Sequence, residues 1–201
     1  QLGDIRRAPV GNPMQTQVML KSKEETAPTS WSPDGRWLLY NLMTSKTRAD
    51  IWILSTDGSA PGRPLVQTPF NEAFAVFSPD GRWIAYDSDE SGQPQVYVQR
   101  FPGGTERIQV TSNGGSSAKW RKDGGELFYV AANGAVAAVA VRAAGEKLDL
   151  SPPRELFQLP LGGDYLPSPD GQTFVVRSSD AATSQRAATV VIGWTHALTK
   201  H

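Results

Sequence analysis

Three places in the sequence hold residue types that chemistry needs, and each can be tested on spacing alone. The loop from Asp87 to Gly92 sets Asp87, Asp89 and Ser91 at alternate positions ahead of a glycine. That is the oxygen spacing of the first half of a calcium-binding EF-hand loop. The twelfth position of such a loop falls on Val98, where a bidentate Glu is required, and the flanks read as strands rather than helices. The three residues therefore make a weak cation candidate, set against a solvated hairpin loop. A nucleophile is sought next in the string GGSSA at 114–118, which ends in Ala and enters a strand, so it forms no strand-to-helix elbow. The only two histidines, His196 and His201, lie beyond the last expected strand, where no base is held beside a nucleophile. No second carboxylate can be placed opposite the Asp87 loop for glycosidase chemistry. The expectation is a chain with no catalytic residues and no cofactor.

The elements that would position such residues are legible because the chain repeats itself. WSPDGRWLLY begins at Trp31, FSPDGRWIAY at Phe77, WRKDGGELFY at Trp120 and PSPDGQTFVV at Pro167, at intervals of 46, 43 and 47 residues. A period of about 40–50 residues with several short strands per unit is the signature of a β-propeller. In the box, Pro presets φ for a type I turn, Asp follows, and Gly accepts the positive φ of a bulge. The turn residues are thus Pro33, Asp34 and Gly35; Pro79, Asp80 and Gly81; Asp123 and Gly124; and Pro169, Asp170 and Gly171. The apolar run after each box predicts a strand buried on both faces, covered by a neighbouring blade on either side. The periodic aromatics Trp37, Trp83, Tyr40 and Tyr86 accordingly read as packing between blades.

The predicted fold is all-β, a single domain of four-stranded antiparallel blades with about four to five blades present. Its parts are a partial first blade at 1–21, full blades at 22–67, 68–110 and 111–159, and a last blade with tail at 160–201. Two arrangements compete: a small closed ring, or the C-terminal arc of a six-bladed propeller. In the closed ring the strand Gln15–Leu20 pairs with Ala187–Trp194 as the outer strand of the last blade, covering an edge that would otherwise template aggregation. An open arc would expose apolar blade faces and self-associate.

Composition bounds the rest. Twenty basic and twenty acidic residues cancel, and no basic run occurs, which excludes a nucleic-acid partner. There is no Cys, so neither disulfides nor thiolate metal sites exist, and the compartment is not fixed by redox chemistry. No apolar run approaches the ~18 residues of a membrane span. A chain opening on Gln1 without a signal peptide reads as a processed or excised piece.

The SPDGR box followed by an apolar strand resembles the repeat of the TolB-like, WD-repeat-like β-propellers. The runs QTPFNEAFAVFSPDGRWIAYDSDESGQPQVYVQRFPGG and RIQVTSNGGSSAKWRKDGGELFYV, with the closing VVIGW, are similar to the C-terminal propeller of bacterial transmembrane Ser/Thr protein kinases of the Acidobacteria type. The resemblance spans about Asp4 to Trp194. It implies a non-enzymatic binding module, the extracytoplasmic sensor part of a membrane kinase, and hence a periplasmic or extracytoplasmic location. The chain departs from that family in having fewer than six blades and in its third box, RKDGG, which lacks the Ser-Pro pair. It has no Gly-rich phosphate loop, HRD or DFG, so a parent kinase domain would lie upstream of residue 1. The alternatives are the propeller gate of a prolyl-oligopeptidase-like hydrolase and a structural or assembly propeller. In a four-stranded blade the longer, polar loops gather on one face of the disc, opposite the tight turns. A protein or small-molecule ligand is therefore expected there, at the channel mouth, with Asn71, Glu72, Asn113 and Lys119 as its contacts.

Overall fold

The computed structural model describes residues 3–12, 14–104, 106–145 and 147–177, together with the backbone of a final strand. His196, His201 and the polar loop at 178–186 lie outside the described residues. Eighteen strands and no helix are found among those described. A hairpin, β1 (Ile5–Arg7) and β2 (Gln17–Leu20), precedes the first blade, β3 (Glu25–Trp31), β4 (Trp37–Thr44), β5 (Arg48–Ser55) and β6 (Arg63–Val66). The second blade is β7 (Glu72–Phe77), β8 (Trp83–Ser88), β9 (Gln95–Arg100) and β10 (Arg107–Gln109). The third is β11 (Gly115–Trp120), β12 (Glu126–Ala131), β13 (Ala135–Ala144) and β15 (Arg154–Gln158), with β14 (Lys147–Leu150) paired to the far end of β13. The fourth contains β16 (Asp164–Pro167), β17 (Thr173–Arg177) and β18 (Ala188–Ile192). All pairings are antiparallel between chain neighbours, save that β15 skips the β14 hairpin to reach β13.

The boxes fold as their residue types dictate. In the first, Gly35 N–H donates to Ser32 O at 2.8 Å, Ser32 Oγ to Asp34 Oδ1 at 2.5 Å, and Arg36 N–H to the same carboxylate oxygen at 3.0 Å. The Ser78 and Ser168 boxes repeat these bonds. Gly35, Gly81 and Gly171 have φ of 71°, 69° and 70°, a region costly to any residue with a Cβ. Hydrogen bonds from the box serine, then from the backbone N–H beyond the turn, hold the Asp34 and Asp170 carboxyls below their ordinary range. The third box reaches the same shape without Ser-Pro. Arg121 replaces the serine and forks onto Asp123 at 2.6 and 2.9 Å, while Gly124 has φ 76°.

Alternate residues of each inner strand enter opposite inter-blade cores, as a period of two requires. Ile84 and Tyr86 pack toward the first blade with Leu39, Ile51 and Ile53, whereas Trp83 and Ala85 pack toward the third with Leu127, Tyr129 and Val139. Phe128, Val136 and Ala138 meet Tyr165, Phe174 and Val176 of the fourth. Tyr40 and Tyr86 are buried, as expected for packing between blades.

Two expectations are corrected. The strand at 15–20 does not cover the last blade. β2 pairs with β1 across the turn at Gly11–Asn12, and Ile5, Met19 and Leu20 cover Leu38, Tyr40 and Leu54 of the first blade. Among the described residues β18 pairs with β17 alone. A local hairpin closes a far shorter loop than a pairing across the whole chain, and its entropy cost is correspondingly lower. The other correction is to the blade at 111–159, expected to hold four strands: it carries a fifth, β14, in a hairpin with β13. It turns at Gly145, with φ 66°, and runs the third blade's hairpin past its sheet.

A channel wall lined by the first strand of each blade

The first strands of the four blades line a cavity of about 550 Å³. In the second and third blades this strand carries a register shift at the same place, between Ala73 and Val76 and between Ser116 and Lys119, and the first blade has a shorter one between Pro28 and Ser30. A β-bulge re-aims a side chain, and here it aims Phe74 and Ser117 into the channel. Counted from the box, the equivalent residues are Pro28, Phe74, Ser117 and Asp164, and all four line the cavity. Phe74 and Ser117 sit in the left-handed region at φ 58° and 59°. For a bulky residue this is strained, of order 1–2 kcal/mol, and such strain collects at binding sites. Phe74 is nonetheless 61 % exposed, so packing does not repay that cost.

A polar side chain from the preceding blade pins each strained bulge. Phe74 N–H donates to Asn41 Oδ1 at 3.2 Å, and Asn41 Nδ2 donates to Glu72 O at 3.1 Å. Ser117 N–H donates to Asp87 Oδ2 at 2.9 Å. The next joint is different, because Val130 occupies the position of Asn41 and Asp87 in the third blade. There Tyr165 Oη donates to Ser117 O at 2.8 Å, and Lys119 Nζ donates to Asp164 Oδ1 at 3.0 Å and to Tyr165 O, over the Tyr165 ring. Partial burial raises the Asp164 carboxyl, but the bonds from Lys119 and the Tyr165 N–H, with the charges of Lys119 and Arg177, together outweigh it and leave the group below its ordinary range. Arg177 completes the charged side of the cavity; Phe74, Met43 and Val76 form the apolar side.

The structure separates the four residues expected to contact a ligand. Lys119 lines the channel. Asn113 lies on the loop-rich face in a second cavity of about 430 Å³, with Asn133 and Glu155. Asn71 and Glu72 hold the loop between them and the first blade. Asn71 Oδ1 accepts from Ala49 N–H at 3.2 Å, and the fully buried Glu72 carboxylate accepts from Thr68 N–H at 3.2 Å and from Thr68 Oγ1. Burial raises the Glu72 carboxyl against these bonds. The calcium candidate does not converge either. Asp87 turns into the joint between blades two and three. Asp89 accepts from Asn71 N–H at 2.9 Å and faces Arg48 at 3.4 Å, and Ser91 Oγ donates to Gln93 O. Among the described residues no group of three or more His, Cys, Asp or Glu could hold a metal ion. Sequence inspection missed Pro28, Asn41, Phe74, Asp164 and Arg177. The signal available was the pair Tyr-Asn at 40–41 and Tyr-Asp at 86–87, a polar residue recurring at one repeat position in an otherwise apolar strand.

Repeated antiparallel blades, a box turn in each and a cavity lined by their first strands define a β-propeller of the SPDG-box class. A family model described as the TolB beta propeller domain matches residues 12–152, and the chain belongs to that family. No curated protein matches it in sequence. TolB from Acinetobacter baumannii superposes with a TM-score of 0.62 at 19 % identity, covering 89 % of this chain and 43 % of its own. A putative TolB from Agrobacterium tumefaciens gives 0.55 at 22 %, over 71 % and 53 %. An oligogalacturonate lyase in complex with manganese gives 0.71 at 13 %, over 96 % and 57 %. At these identities the likeness establishes the fold, and the chain spans about half the length of these structures. No helix among the described residues is long and apolar enough to cross a membrane.

Proposed function

We propose that this chain is a non-enzymatic binding propeller that takes a protein segment or small ligand at the channel mouth, and serves as the extracytoplasmic sensor part of a bacterial membrane Ser/Thr kinase. One observation carries the binding reading. The first strand of every blade brings the residue three before its box to the channel wall, and that residue changes from Pro28 to Phe74 to Ser117 to Asp164. A constant frame with variable contacts is how a rigid scaffold encodes recognition. The cavity is apolar at Phe74 and Met43 and charged at Lys119, Asp164 and Arg177, so it suits a ligand with both characters. The kinase assignment rests on the sequence resemblance of residues 67–130 and the closing VVIGW.

A photo-reactive amino acid placed at 74 or at 34, with the chain in its native host, tests the binding reading. Adducts should form from position 74, on the channel wall, and be absent from position 34, on the tight-turn face. Equal labelling from both positions would remove the channel as the site. Kinase motifs upstream in the parent reading frame would support the sensor assignment, and their absence would end it.

A further inference from the structure

Asn41 and Asp87 occupy the same position in successive repeats, ten residues after the start of their boxes, and each accepts the N–H of a strained bulge in the next blade. Their second atoms differ. Asn41 Nδ2 is a donor and is spent on the carbonyl of Glu72 at 3.1 Å. Asp87 Oδ1, the other oxygen of the equivalent side chain, is buried and has no hydrogen-bond partner among the described residues. The carbonyl that corresponds to that of Glu72 in the next repeat belongs to Gly115, in β11. A carboxylate cannot donate to a carbonyl, and leaving it charged and unmatched in an interior is costly. A neutral carboxyl can donate, and it then reproduces the amide's pattern atom for atom. Among the described residues no cation compensates Asp87. From β11 the nearest basic group, Lys119, is committed to Asp164 and Tyr165 O. β16 offers only those acceptors and the Tyr165 phenol, which burial holds neutral, and β7 contributes the buried acid Glu72.

We propose that Asp87 is carried as the neutral acid, its Oδ1–H bound to the carbonyl frame of β11, and that its ionisation is a proton-controlled release of the joint between the second and third blades. Asp87 is then a positioning residue: it sets the bulge that shows Ser117 to the channel, with Tyr165 holding the other side of the same residue. The inference is independent of what the channel binds. Burial, offset in part by the Ser117 N–H, raises the carboxyl from 3.8 to about 7. Between those values the unfolded chain has lost the proton and the folded chain keeps it. Stability is therefore greatest below the ordinary carboxylate range, falls as the pH rises toward 7, and is level above it.

The test compares denaturant unfolding of the 201-residue wild type with D87N and N41D between pH 4 and 8. D87N supplies the donor permanently. Relative to wild type its folding equilibrium should gain from pH 4 to about 7, reach about a thousandfold, and hold that gain at pH 8. N41D should introduce a second loss of the same sign at the joint between blades one and two. The side-chain carboxyl ¹³C shift of Asp87 in the folded wild type should titrate near neutrality. D87N less stable than wild type at pH 8, a wild-type-minus-D87N difference that does not change with pH, or an Asp87 carboxyl titrating in the ordinary range would each overturn the proposal.

Discussion

The tight-turn face and the channel wall are built from the same four repeats, and they treat repetition in opposite ways. On the turn face, side chains and backbone repeat together. Three boxes make the same Ser–Asp–backbone bonds, and the fourth obtains the same shape from an Arg–Asp fork. Successive boxes also touch: a Cβ added to Gly81 would lie 3.3 Å from Pro33, and one added to Gly171 would lie 2.8 Å from Arg121. On the channel wall only the position repeats, and the residues presented there, Pro28, Phe74, Ser117 and Asp164, share no chemistry. The turn face is thus under the constraint of folding, and under the function proposed here the wall is set by a ligand.

The comparison is sharpened first on the turn face, where the largest effects are expected. Gly171→Val combines a positive φ with overlap at Arg121 and Phe128, whose ring carbon lies 2.9 Å from the added Cβ. It should cost about 3 kcal/mol or more. Gly35→Val meets nothing within 4 Å, so only the backbone term remains, about 1–2 kcal/mol. Thermal or urea unfolding of both variants separates the two terms. Equal losses would mean that the contact between boxes three and four contributes nothing. Next in size is Arg121→Ala, which removes the fork on Asp123 and a 2.8 Å bond to Glu126 from a partly exposed side chain. A loss of about 1 kcal/mol is expected once solvent screening is allowed for, measured by the same unfolding. No loss would show that Gly124 and the backbone suffice for the turn.

This division also explains what the sequence disclosed. Ser32, Pro33, Asp34 and Gly35 announce their turn because its φ values admit few other residues. The two-sided burial of Leu38 to Asn41 announces its strand. Phe74 and Ser117 announce nothing: neither is a residue that prefers positive φ, and the bulge that puts them there is enforced from outside by Asn41 and Asp87. Glu72 looks like a loop charge in sequence, yet it begins β7 and is fully buried. The Asp87 loop has calcium-like spacing, but a strand sends Asp87 into a blade joint while the following turn spends Asp89 on Asn71. Pairing of β2 with β1 rather than β18 is a choice between partners of similar composition, which loop length decides and residue type does not.

The central claim is that the channel wall is shaped for a ligand and not for the fold, and Phe74→Asn tests it most directly. Asn tolerates the left-handed region far better than Phe, and an exposed ring gives up little burial when removed. The Asn41 bond to the residue 74 N–H survives the change, since it is made by the backbone. The account predicts that Phe74→Asn is at least as stable as wild type in urea unfolding, with a gain of up to about 1 kcal/mol. A loss of 1 kcal/mol or more on the same measurement would show that Phe74 is held in place by packing, and would contradict the account.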